Sequence, residues 1–164
     1  MNQTTSAITD WLASAHDVPA QAQREFAVGI ALVPTGEKFD AIRLPAPIVH
    51  AAAGSEAPDA VAAFLAETLP GGAVIHDAYG IGVWHYALVP PGTYANWQAP
   101  GVECLRPGTW LGVPRPDLTA QPGPHWALPP HTAGSVCAAK AVADLVALGQ
   151  SSPRPMPMAP ERTS

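Results

Sequence analysis

Residues 73–92 read AVIHDAYGIGVWHYALVPPG, and the fold turns on how they are read. Ala73, Val74, Ile75 and His76 make a short apolar run. Gly80 and Gly82 mark a turn, and residues 83–89 are a second apolar run closed by Pro90-Pro91-Gly92. Two such runs around a glycine-containing turn predict a β-hairpin. Along its second strand, period two sets Val83, His85, Ala87 and Val89 on one face and Trp84, Tyr86 and Leu88 on the other. A histidine among small apolar neighbours is either a core imidazole bonded to a backbone carbonyl or a ligand-facing one.

Working outward, residues 26–33, FAVGIALV, predict a buried strand ended by Pro34-Thr35-Gly36. Residues 39–44 predict a second strand before Pro45. Residues 102–105 and 110–113 flank Arg106-Pro107-Gly108, a further hairpin signal. Trp126, Ala127 and Leu128 form a short strand between prolines. Helices are predicted over residues 5–16, 58–69 and 135–148, with Gly149 stopping the last. The order of elements predicts an α+β fold, a single mostly antiparallel sheet with flanking helices. Residues 1–149 make one domain, and residues 150–164, QSSPRPMPMAPERTS, a proline-rich tail, disordered or extended.

Composition narrows the function. The 164 residues suit one domain. Their 20 prolines exclude an all-helical bundle and long central strands throughout. Charged residues are 13%, about half the usual share, and net charge is −5. Lys38 and Lys140 are the only lysines, and no basic run offers a duplex-DNA footprint. Cys104 and Cys137 lack the C-x-x-C spacing of a structural zinc site and fit a reducing, cytoplasmic setting. Neither a signal peptide nor a membrane span is read. No G-x-S-x-G, P-loop or H-E-x-x-H occurs. The carboxylates Asp40, Asp77 and Glu103 stand singly. Asp40 alone cannot build a two-metal site, because Ile42 stands where the second acid of a D-x-D pair belongs.

Several strings, in order, resemble the N-terminal prim-pol domain of bifunctional DNA primase/polymerases, of the archaeo-eukaryotic primase class. They are Val28-Gly29-Ile30 with Thr35-Gly36, the stretch 39–45, Gly80-Ile81-Gly82-Val83-Trp84-His85-Tyr86 with Pro90-Pro91-Gly92, Gly101-Val102-Glu103 with Gly108, the stretch 110–114, and the stretch 126–130. The alanine- and proline-rich composition resembles small actinobacterial members. The resemblance implies that His85 contacts a nucleotide triphosphate, with Arg43 and Arg106 as further nucleotide contacts. It implies that Glu103 is the third metal-associated carboxylate, and that the stretch 39–45 carries the acids holding Mg²⁺ or Mn²⁺. Asp40 is the first acid in one alignment. Anchored on Pro45, both acid positions fall on Ile42 and Leu44.

Three functions remain open. One is a stand-alone degenerate prim-pol-like domain, impaired in catalysis, keeping a pocket for a nucleotide or single-stranded nucleic acid as an accessory module. Another is an active nucleotidyltransferase using Asp40, Glu103 and His85. The third is a protein-interaction module with a vestigial site. Under the first two, Asp40, Glu103 and His85 line one cleft.

Overall fold

A computed structural model describes residues 3–78, 82–120 and 122–152. In chain order it contains α1 (Gln3–Ala13), α2 (Pro19–Ala27), β1 (Ile30–Pro34), β2 (Asp40–Pro45), α3 (Ala46–Ala53), α4 (Pro58–Thr68), β3 (Val74–Asp77) and β4 (Trp84–Val89). A 3₁₀ turn (Thr93–Asn96), β5 (Glu103–Cys104), β6 (Trp110–Pro114), β7 (His125–Leu128) and α5 (Ala139–Ser151) follow. The fold is α+β, and every described strand pairing is antiparallel. No helix among the described residues is long and apolar enough to cross a membrane.

The sheet expected to be single is two ladders. The main one runs β5-β2-β4-β3-β7, and β1 pairs only with β6. The 73–92 hairpin forms as expected, with Ile75 opposite Tyr86 and His76 opposite His85. Its turn residues 79–81 lie outside the described residues. The second expected hairpin does not form. β5 pairs with β2 and β6 with β1, because the 106–108 turn docks on the Thr35-Gly36 turn. There the Gly108 amide donates to the Thr35 carbonyl, 2.7 Å. A Cβ on Gly36 would lie 2.9 Å from Pro107 Cβ, so a side chain there would force the two turns apart.

Several prolines start structure instead of ending it. Pro19, Pro47 and Pro58 sit in the first turns of α2, α3 and α4, where an N–H has no helical partner to lose. The expected strand over 26–33 therefore begins only at Ile30, after two helical residues and a corner. α2 runs through Ala27, and Gly29, at φ 125°, makes the corner into β1. The last helix starts at Ala139, since the Ser135 hydroxyl instead accepts the His131 and Thr132 amides in a turn. It continues through Gly149 to Ser151, and residues 153–164 of the expected tail lie outside the described residues.

Two apolar clusters sandwich the main sheet. Ala41, Ile75, Leu88 and Trp126 face α1, α2 and the β1–β6 ribbon. Ile42, Leu44, Val74, Ala87 and Val89 face α3, α4 and α5. Trp126 ties sheet to ribbon, its indole N–H donating to the Pro114 carbonyl at 3.0 Å. α3 and α5 cross at Gly149, where an added Cβ would run into the Ile48 carbonyl oxygen. Alanine favours a helix by about 1 kcal/mol over glycine, but here it overpacks against backbone. Gly149→Ala is expected to destabilise by about 1–3 kcal/mol in urea melts. A stabilised variant would disprove the close helix crossing.

Candidate functional site

The antiparallel register gathers histidines that are far apart in sequence. His85 on β4 is opposite His76 on β3, and His76 is opposite His125 on β7. Cross-strand partners share a face, so three imidazoles form a row along one edge of the α3–α5 side of the sheet. The His85 and His76 ring centres lie 5.1 Å apart at 79°, and those of His76 and His125 are stacked at 4.6 Å and 27°. His50, from α3, approaches His85 edge-on at 6.4 Å. The row opens into a cavity of about 150 Å³ that Glu56, Asp59 and Thr119 also line. Among the described residues, no lysine or arginine lines it.

His85 is 1% exposed and its Nδ1 has no hydrogen-bond partner. Burial, and then the neighbouring His76, His50 and His125, push its pKa down to about 3, so the ring is neutral at pH 7. The His76 pKa is lowered as well, first by burial and then by His125, and its Nδ1 is also buried without a partner. His125 Nδ1 lies 2.9 Å from the Gly123 carbonyl. A carbonyl only accepts, so we assign the proton to Nδ1 and a free lone pair to Nε2.

The residues expected to share a cleft do not. Asp40, Ile42 and Leu44 point to the same side of the sheet as His85, whereas Glu103, opposite Arg43, points to the other. Asp40 and Glu103 thus face opposite sides and do not share an ion. Asp40 is opposite Val89 and His85 is opposite Leu44, which separates them by roughly 13 Å along the strands. Asp40 is fully buried. Its Oδ2 accepts the backbone amides of Gly92 at 3.0 Å and Tyr94 at 2.9 Å, anchoring the chain that leaves β4.

The expected nucleotide contacts are split in the same way. Arg43 lies on the face away from His85, its guanidinium carbon 3.7 Å from the Trp84 ring centre. Burial raises the Tyr86 pKa, and Arg43 opposes that rise. Arg106 is exposed in the turn after β5, where its carbonyl accepts the Thr35 hydroxyl at 3.2 Å.

Sequence reasoning found His85 and its face but missed its companions His50, His76 and His125 and the acids Glu56 and Asp59. The hairpin register is the signal that would have joined His76 to His85. Among the described residues, no three His, Cys, Asp or Glu side chains already surround one ion-sized point. The larger open groove between the 3₁₀ turn and α5, about 840 Å³, has Lys140 as its only ionisable side chain among the described residues, so their titratable chemistry concentrates at the imidazole cavity. No protein-family model, curated protein or solved structure matches the chain.

Proposed function

We propose that this chain is a prim-pol-like domain that acts by binding a protein partner and performs no nucleotidyl transfer. One observation carries the reading: on the β2 side of its own face, His85 has hydrocarbon neighbours. Leu44 lies directly opposite His85, and Ile42 lies opposite Ala87. With the sequence anchored on Pro45, these are the two acid positions of the resembled family. Both side chains are fully buried in the cluster under α3, α4 and α5. In-line phosphoryl chemistry of this kind needs carboxylates to hold its metals, and neither hydrocarbon can supply one.

Two further features support binding of a protein over a nucleotide. A triphosphate would meet Glu56 and Asp59 at the cavity and, among the described residues, no lysine or arginine. Pockets for drug-sized ligands run to about 300–1,000 Å³, well above this cavity. The outer face of the β1–β6 ribbon, by contrast, is apolar. Ile30, Leu32 and Pro34 pair with Pro114, Gly112 and Trp110 on that face. Leu32 and Trp110 are each 53% exposed, and nearby Val28 is 86% exposed. The Leu32 amide, which a docking strand would need, is already taken by the Glu25 carboxylate at 2.9 Å. The ribbon therefore offers side chains to a partner and guards its edge.

Primer extension tests the reading. Purified chain with Mg²⁺ or Mn²⁺, primed template and labelled nucleotide is expected to incorporate nothing above the His85→Ala background. Nucleoside triphosphates at millimolar concentration are expected to leave the melting temperature unchanged. Template-dependent incorporation abolished by His85→Ala overturns the reading. A nucleotide-dependent rise in melting temperature without incorporation restores the nucleotide-pocket alternative.

A further inference from the structure

We propose that the imidazole cavity is a binding site for a divalent first-row transition-metal cation of the zinc class, with His76, His85 and His125 as its ligands. The chemistry of the lining selects the ligand class. Imidazole nitrogen suits Zn²⁺, Cu²⁺, Ni²⁺ and Co²⁺, whereas Mg²⁺ demands oxygen ligands in a near-ideal octahedron. Glu56 and Asp59 at the same cavity favour a cation, and the lack of any lysine or arginine there among the described residues disfavours an anion.

Each ring offers a lone pair. The Nδ1 atoms of His76 and His85 are buried with no partner, a costly state for a polar atom that an ion would relieve. His125 donates Nδ1–H to the Gly123 carbonyl, which leaves Nε2 to ligate. That second bond is the support that metal-bound histidines ordinarily carry. The scaffold is rigid as well, since the three residues are cross-strand neighbours on adjacent strands.

The donors do not yet surround one point, and the stacked His76 and His125 rings must turn to converge at zinc–nitrogen distances of about 2.0–2.1 Å. The cavity leaves room for this. Its 150 Å³ equals about five water volumes, enough for an ion, its remaining waters and a carboxylate from Glu56 or Asp59. Metal binding here is independent of the non-polymerising function proposed above, because it uses neither the ribbon nor the positions of Ile42 and Leu44.

The test uses the full-length chain stripped with chelator and titrated with Co²⁺, whose visible absorption reports imidazole coordination. Saturable bands are expected, displaced by Zn²⁺ and untouched by Mg²⁺. His76→Ala and His125→Ala, each checked for retained circular dichroism, are expected to weaken Co²⁺ binding at least about tenfold. His131→Ala, outside the cavity, is expected to leave it unchanged. Absence of Co²⁺ bands together with absence of a Zn²⁺ melting shift overturns the proposal. So does binding that survives both cavity variants, which places the ion elsewhere. A melting shift with inorganic phosphate that Zn²⁺ does not give overturns the choice of a cation.

Discussion

Asp40→Ala is expected to lower the stability by about 3 kcal/mol, among the largest effects of any single polar substitution in the chain. The Asp40 carboxylate is fully buried at the start of β2 and accepts two backbone amides, from Gly92 and Tyr94. Hydrogen bonds to a charged group are worth about 1.5–3 kcal/mol each. Against their sum stands the cost of keeping Oδ1 buried without a partner. Alanine loses both bonds and frees the chain that leaves β4. Asparagine keeps a carbonyl oxygen for the two amides and removes the buried charge, so Asp40→Asn is expected to fall within about 1 kcal/mol of the parent. Urea unfolding of the two variants separates a structural carboxylate from a metal ligand. A structural one suffers from alanine and tolerates asparagine. If Asp40→Ala unfolds at the parental urea concentration, the anchoring role is wrong.

The contrast between Asp40 and His85 shows what the sequence could and could not convey. Alternation along 83–89 correctly placed His85 with Ala87 and Val89, because strand parity is a local property of the backbone. The same rule, applied to β2, already separates Asp40 from Arg43. Placing Glu103 needed the β2–β5 register, which no local pattern encodes. α3 was missed because Pro45 read as a strand end and nothing was read beyond it, whereas Pro47 occupies the first turn of a helix. With α3 went His50. α2 was hidden differently. Its sequence, PAQAQREFA, buries only Ala22 and Phe26, too few apolar positions to show a helical stripe. The imidazole row is tertiary: β7 reaches β3 only after the chain has built the ribbon.

That arrangement also fixes what Ile42 and Leu44 can be. In an antiparallel sheet the residues beside a functional side chain are fixed by register, so acids and hydrocarbons are alternatives at the same points. Leu44 and Ile42 beside His85 extend the apolar cluster beneath α3, α4 and α5 without a break. Burying those positions stabilises the sandwich by roughly 1.5–3 kcal/mol for each large aliphatic side chain. Acids placed there would set unpaired carboxylates in the core, where each raises its own pKa or unfolds the packing. Ile42→Asp with Leu44→Asp is therefore expected to unfold the packing unless the helices that cover the face withdraw.

The metal-free chain is expected to lose about 2 kcal/mol of stability from His85 alone between pH 7.5 and pH 5. In the unfolded chain this histidine titrates near 6.5, whereas in the folded chain its pKa is pushed down to about 3. The folded state thus resists a proton that the unfolded state accepts. Stability rises with pH wherever the unfolded chain binds more protons, so it is intact above about 6.5 and drains away as the pH falls toward 3. Carried through the whole window, the loss approaches about 5 kcal/mol, comparable to the entire stability of many domains. His76, lowered in the same direction, steepens the slope. The comparison variant is His85→Leu, which cannot titrate and matches the hydrocarbon around Leu44 and Ala87. Because Nδ1 has no partner to lose, the variant is expected to match or exceed the parent at pH 7.5. Urea melts in chelator at several pH values should then show a shallower acid limb for His85→Leu than for the parent. Parallel acid limbs would mean that protonation of this imidazole is not what unfolds the domain.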